Sequence, residues 1–300
     1  CKIIYCDKKM NQQKILITGA FGQLGRALTL ALKNSHELIL TDSNIPSRGK
    51  GFVLDISDRS FVKDSLSAFE PDLIINLGAI TNVDACEENS DRAWIVNSTA
   101  VQNLLDFGKC SLIHLSTDYV FDGENGPYKE EDETNPINVY GQTKLESEER
   151  IWATGEKHLV IRTNVVYDYA PQTQASFLKW VVESLKNKQN IFVVNDQYNN
   201  PTWTNSLAEV IKRCIEQEVR GLAHWGDEDY LNRYEFALKI AKQFGLDQKL
   251  IQKISTDSLD QLAPRPLKGG LDASKLSKAI DLKAPSLNES LHIIKKRFKE

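Results

Sequence analysis

The chain has 300 residues, 41% of them hydrophobic and 26% charged, which suits a soluble globular protein long enough for one large domain or two modest ones. A formal net charge of −4 leaves no basic footprint for nucleic acid and no polybasic run for a membrane surface. The longest apolar runs fall well short of the roughly 20 residues that a bilayer span needs, and no charged-then-apolar signal opens the chain.

Five cysteines, Cys1, Cys6, Cys86, Cys110 and Cys214, are scattered without the paired spacing of a zinc or redox site. Reduced thiols, a cytoplasmic location and no metal are the expectation. The nine residues ahead of Met10 are assigned no function.

Taken in chain order, short apolar runs alternate with amphipathic segments. "KILIT" (14–18) predicts a strand, followed by glycine-rich residues and the helix "QLGRALTLALKN". "HELILTD" (36–42) and "FVLDI" (52–56) predict the second and third strands. Next come a helix in "SFVKDSLSAFE", a strand in "PDLIINLGA" and one long helix in "DRAWIVNSTAVQNLLDFGK". "SLIHLST" (111–117), a helix from Tyr140 to about Thr154, and "HLVIRTNVV" (158–166) continue the pattern. Such runs joined by crossover helices predict an α/β fold, a doubly wound parallel Rossmann sheet covered on both faces.

After Val166 the rhythm loosens. "FLKWVVESLKN" reads as a helix, "NIFVV" as a strand, and "TNSLAEVIKRCIEQ" as a helix capped by Thr204 or Asn205. "GLAHW" is placed to rejoin the sheet, and "NRYEFALKIAKQFG" is a helix between a capping Asn232 and Gly245. "APRPLKGGLDAS" is a loop before two final helices. The expected division is a dinucleotide-binding domain over 10–166 and a smaller substrate lobe over 167–300, some of whose segments return to the sheet.

"TGAFGQLG" (18–25) lies between the first strand and the first helix, with Gly19, Gly22 and Gly25 in GxxGxxG spacing. Glycines there allow a tight turn, close approach to a pyrophosphate and helix-on-strand packing, and the helix start offers free N–H groups to the phosphates. Phe21, Gln23 and Leu24 fall in the same loop. Asp42, at the end of the second strand, is placed to accept from the adenosine ribose 2′-hydroxyl and to repel a 2′-phosphate, which slightly favours NAD(H) over NADP(H). Arg48 and Lys50 oppose that reading, since they could neutralise a phosphate. Asp55 and Ile56 fit an adenine-flanking position, and Gly78 and Ala79 follow the fourth strand at the cofactor's edge.

Tyr140 and Lys144 stand four apart on one helix and share a face. A nearby ammonium favours the phenolate and lowers a phenol whose ordinary pKa is about 10, which equips the tyrosine for proton exchange with a carbonyl. Both residues are also expected to touch the cofactor. Thr117 ends its strand at the carboxyl edge, where its hydroxyl can hold the same carbonyl oxygen.

These segments carry a resemblance. "TGAFGQLG", "STDYVFDG" and "YGQTK" together resemble the extended short-chain dehydrogenase/reductase superfamily. "STDYVFDGENGPYKEEDETNPINVYGQTKLESE", with "NLGAITNVDACE", "NDQYNNPTWTNSLA" and "RPLKGGLDASKL", closely resembles the dTDP-4-dehydrorhamnose reductase family from about Lys14 to the C-terminus. The resemblance implies Thr117, Tyr140 and Lys144 as the catalytic triad, Asp118 and Tyr119 beside the sugar, and Asn97 supporting the active-site helix. It implies a nucleotide-sugar substrate and leaves room for a homodimer. Two departures fall on the substrate side. Asn164 and Val165 stand where sugar reductases of the family commonly carry a tryptophan, and Arg265-Pro266-Leu267-Lys268-Gly269 replaces Arg-Pro-x-Asn-Ser.

The remaining candidates read as structural. His36, His114, His158, His224 and His292 show no zinc spacing and are expected to pack or lie on the surface. The acidic run at 129–136 reads as a solvated loop. Trp180, Trp203 and Trp225 read as core, with Trp203 or Trp225 the better candidate for lining the substrate lobe. The favoured reading is NAD(P)H-dependent reduction of a 4-keto-6-deoxy sugar nucleotide. The alternatives are a related epimerase and a non-catalytic, cofactor-binding regulatory subunit. A dehydratase is disfavoured, because Asp118 is followed by Tyr119 where that branch has a second acid.

Overall fold

The structure is a computed structural model that describes residues 12–47, 49–155, 157–169 and 176–297. Cys1, Cys6, the rest of the segment ahead of Met10, and Arg48 lie outside the described residues. The first strands are β1 (Lys14–Thr18), β2 (Glu37–Asp42), β3 (Phe52–Val53), β4 (Leu73–Asn76), β5 (Ser111–Thr117) and β6 (Leu159–Thr163). The helices among them are α1 (Gln23–Leu32), α2 (Arg59–Phe69), α3 (Val83–Glu88), α4 (Ser90–Trp94), α5 (Ala100–Phe107) and α6 (Val139–Trp152).

The second half adds β7 (Val166–Tyr167), α7 (Phe177–Lys186), β8 (Ile191–Val194), β9 (Tyr198–Asn199), β10 (Thr202–Trp203) and α8 (Thr204–Glu216). It ends with β11 (Gly221–Trp225), β12 (Leu231–Asn232), α9 (Arg233–Phe244), β13 (Ile251–Ile254), α10 (Ser274–Ala279) and α11 (Leu287–Arg297).

Seven parallel strands form the central sheet in the order β11-β6-β5-β4-β1-β2-β3. The order reverses at β1, so a crevice opens beyond the carboxyl ends of β1 and β4. Side chains of β1 alternate between two cores, as strand geometry requires. Ile15 and Ile17 join the core under α1 and α8, while Leu16 joins the one under α2 and α5. A third core, built from Tyr167 and residues of α7, β8, α9 and α11, belongs entirely to the second half. The segment "GLAHW" does rejoin the sheet, as its edge strand β11.

Three expectations about element boundaries and caps are corrected. The third strand is only Phe52–Val53, because the Asp55 carboxylate accepts from the Ser57 backbone at 2.9 Å and turns the chain out of the sheet. The long helix is divided: Asn89 caps α4 through the Arg92 N–H at 3.0 Å, and a π-helical turn (Ile95–Thr99) separates α4 from α5. Neither Thr204 nor Asn205 caps α8; Trp203 is the cap residue, and the buried Thr204 hydroxyl instead donates to Asp168. The capping box at Asn232 and the left-handed Gly245 bracket α9 as expected. Trp203 and Trp225 are core residues, whereas Trp180 is exposed and none of the three lines the main cleft. Among the described residues no helix is long and apolar enough to cross a membrane, no cluster of acids, cysteines and histidines suits a metal ion, and Cys86, Cys110 and Cys214 are free thiols.

Candidate active site

A cleft of roughly 810 Å³ follows the carboxyl edge of the sheet. One wall is the β1–α1 loop. Gly19 has φ +62°, a conformation open to glycine, and a Cβ on Gly25 would sit 2.5 Å from the carbonyl oxygens of Gly19 and Ala20. Gly22 is the N-cap of α1 and offers no side-chain cap, so the positive end of the helix faces the cleft, a setting suited to an anion. Gly19, Gly22, Gln23, Leu24, Gly25, Asp42, Asp55, Ile56, Gly78 and Ala79 all line the cleft. Phe21 does not; its ring lies against Gly49 and Gly51, and only its N–H faces Asp42, at 3.3 Å. The cradle therefore fits a dinucleotide pyrophosphate, and Asp42 lines the same cleft.

The opposite part of the cleft is built on β5 and α6. Asn138 caps α6 by accepting from the Gly141 N–H at 2.8 Å, and its amide donates to the Pro264 carbonyl at 2.9 Å. α6 buries an unusually polar face comprising Thr143, Lys144, Ser147 and Glu148. Asn97 braces it, donating to Thr143 Oγ1 at 3.2 Å while exchanging two bonds with the Ile80 backbone. Thr117, Tyr140 and Lys144 all line the cleft, and the Thr117 hydroxyl is close enough to the Tyr140 phenol to influence its ionisation.

The electrostatics differ from the simple expectation of a lysine lowering a phenol. Burial pushes the Tyr140 phenol well above its ordinary value, with Thr117 the main opposing influence. Lys144 is itself lowered to about 8 by burial, against the pull of Glu148. Its Nζ meets His114 Nε2 at 2.9 Å. His114, fully buried and held neutral, also contacts Ser147 Oγ at 3.0 Å and Asn76 Nδ2 at 3.0 Å. Asn76 accepts from Thr18 Oγ1 at 2.6 Å and from the Gly78 N–H. A continuous set of polar contacts thus joins the glycine loop to Lys144. His114 is thus more than the packing or surface residue expected from its lack of zinc spacing. The signal was there: His114 and Ser116 share one face of β5, and Lys144, Ser147 and Glu148 recur at helical spacing on the element above.

On the substrate side Asp118, Tyr119, Asn164 and Val165 line the cleft. Asp118 is buried, accepts from the Gly270 N–H at 3.2 Å, and has its carboxyl raised to about 6 by burial. The Tyr119 ring meets Tyr140 edge-on at 5.8 Å. Arg265 is not on the lining. It is committed to Asp84 at 2.8 Å and to the Ala263 carbonyl. The cation on this wall is Arg233, at the start of α9, whose guanidinium lies 5.4 Å over the Phe177 ring. Arg233 was missed because it follows the capping Asn232 and reads as ordinary helix.

A doubly wound sheet, a glycine cradle at its switch point and a Thr-Tyr-Lys group in the same cleft define an extended short-chain dehydrogenase/reductase. The chain belongs to the family described as the RmlD substrate binding domain, whose profile matches residues 13–299. It is 31% identical to the dTDP-4-dehydrorhamnose reductase of Aggregatibacter actinomycetemcomitans, over 94% of this chain and 98% of that one. It is 30% identical to methionine adenosyltransferase 2 subunit beta of Bos taurus, over 92% of this chain and 85% of that one. The crystal structure of a dTDP-4-dehydrorhamnose reductase from Bacillus anthracis in complex with NADP superposes with a TM-score of 0.87 at 27% identity, covering 95% of this chain and 99% of that chain.

Proposed function

We propose that the protein reduces the keto group of a 4-keto-6-deoxy sugar nucleotide with NADH or NADPH. The observation that carries this reading is the convergence of Thr117, Tyr140 and Lys144 in the cleft that also holds the glycine cradle. A bound reduced nicotinamide supplies the hydride. Tyr140, kept as the neutral phenol by burial, gives its proton to the keto oxygen as the new C–H bond forms. The Thr117 hydroxyl holds that oxygen and stabilises its developing charge. Lys144, cationic below about pH 8, supplies positive charge one helical turn from the phenol. Asp42 favours NADH at least as much as NADPH, and the free thiols of Cys86, Cys110 and Cys214 are in keeping with a reducing compartment.

A second reading, a cofactor-binding subunit of another enzyme, is favoured by the similarity to a methionine adenosyltransferase subunit and by the altered residues at Asn164 and Val165. One experiment separates the two. Purified protein is mixed with dTDP-linked 4-keto-6-deoxyhexoses and NADH or NADPH, and nicotinamide absorbance is followed. Reductase activity in wild type that falls 10²–10⁴-fold in Tyr140→Phe, with cofactor affinity retained, supports the first reading. Wild type that binds cofactor yet is as inert as Tyr140→Phe supports the second.

A further inference from the structure

Asn164 is 3% exposed and stands on the cleft lining directly after β6. Its amide orientation is set from a distance. Asn200 faces the Leu271 peptide with both ends of its own amide, Nδ2 donating to the Leu271 carbonyl at 2.9 Å and Oδ1 accepting from the Leu271 N–H at 2.9 Å. Only one rotamer of Asn200 satisfies that pair. Asn164 must therefore turn its amino group to Asn200 Oδ1, at 2.7 Å. Asn164 Oδ1 is thereby turned the other way, and it is buried without any protein partner. A fixed, desolvated acceptor beside a cleft is a group prepared for a donor from outside the chain.

The neighbouring backbone is held against its own preference. Val165 has φ +40°, in the left-handed region that a β-branched residue strongly disfavours, while its carbonyl accepts from the Thr202 N–H at 3.2 Å. This turn is fixed by its surroundings, so Asn164 cannot swing to find a partner. Thr163 pairs in register with Thr117 on β5, and adjacent strands lie about 4.8 Å apart. Asn164, the next residue, therefore leaves β6 at the carboxyl edge one strand over from Thr117, the residue proposed to hold the keto oxygen.

Resting on the keto-sugar reading above, we propose that Asn164 Oδ1 accepts a hydrogen bond from the ring hydroxyl next to the keto carbon. In a 4-ketohexose that is the C3 hydroxyl, because the other neighbour, C5, carries the methyl group. The substrate class is therefore a 4-keto-6-deoxyhexose nucleotide with a hydrogen-bond donor at C3. Polar recognition at Asn164 replaces the aromatic surface that a tryptophan at position 165 would supply.

The test compares dTDP-4-keto-6-deoxyglucose with its 3-deoxy analogue in wild type, Asn164→Ala and Asn164→Ser, with dinucleotide Kd measured by calorimetry and folding checked by thermal melts. Wild type should prefer the 3-hydroxy sugar roughly ten- to a hundredfold in kcat/KM. Asn164→Ala should treat the two sugars alike within about threefold, all of the loss falling on the 3-hydroxy sugar, with dinucleotide Kd unchanged. Should the alanine variant fail to fold, the shorter hydroxyl of Asn164→Ser should show a reduced preference in a folded protein. Equal use of both sugars by wild type overturns the proposal while leaving the reductase reading intact. So does a tenfold rise in dinucleotide Kd in a folded variant, which would make the cofactor carboxamide the donor. Wild type that reduces neither sugar overturns the reductase reading and the proposal together.

Discussion

The two walls of the cleft are made in different ways. The wall proposed for the dinucleotide centres on the single glycine loop between Thr18 and Gly25, where α1 presents its backbone start to the cleft. The wall proposed to meet the sugar presents Asp118 and Asn164, which are tied to Asn200 and the 264–271 segment through buried side-chain amides and a buried carboxylate. A peptide cradle recognises what every pyrophosphate shares and changes little when side chains change. A wall of interlocked side chains can be re-specified one residue at a time, yet each change is felt by its partners.

The largest break in this contrast should come from Gly25→Ala, whose added methyl would press on two backbone carbonyls at 2.5 Å. Calorimetric titration should show dinucleotide affinity falling about 10²-fold, as a displaced cradle loses its aim. Next in size is the pH dependence of Lys144, whose ammonium is present below about pH 8 and lost above it. The kcat/KM for keto-sugar reduction should be level below that pH and fall about tenfold per unit above it. In Glu148→Gln the limb should move to lower pH, since the Glu148 charge raises the lysine.

A smaller effect is expected at Asp42, where alanine removes repulsion of a 2′-phosphate. The ratio of NADPH to NADH use, measured in parallel initial-rate assays, should rise about tenfold. A wild-type enzyme that already strongly prefers NADPH would overturn this assignment. The smallest effect belongs to Val165→Asn, because asparagine tolerates the left-handed backbone at φ +40°. Relief of strain and loss of apolar contact should nearly cancel, leaving unfolding free energy in urea within about 1 kcal/mol of wild type.

How much of this was legible from sequence follows from the same contrast. The glycine loop, the strand-end Thr117 and the four-residue spacing of Tyr140 and Lys144 are local patterns, so they were readable directly. Local chemistry also hid some features. Asp55 ended β3 through a side-chain bond to Ser57, and Asn89 broke the long helix, neither of which hydrophobic periodicity registers. The sugar wall depends on contacts between residues far apart in the chain. Nothing near Asn164 announces that Asn200 and Leu271 fix its amide, and nothing near Arg265 announces that Asp84 claims it. Arg233 and His114 acquire meaning only once α9 and α6 are laid against the sheet.

The Asn138–Pro264, Asp118–Gly270 and Asn200–Leu271 bonds also set an order of events during synthesis. A growing chain is extruded N-terminus first, at roughly 5–20 residues per second, so β1 to β6, Tyr140 and Lys144 are available well before residue 271 emerges. Even the core beneath the glycine loop waits for α8, which covers it together with α1. A ribosome-bound chain that stops short of Pro264 therefore carries Thr117, Tyr140 and Lys144 beside an unfinished wall. That wall is completed only when the last tenth or so of the chain has emerged.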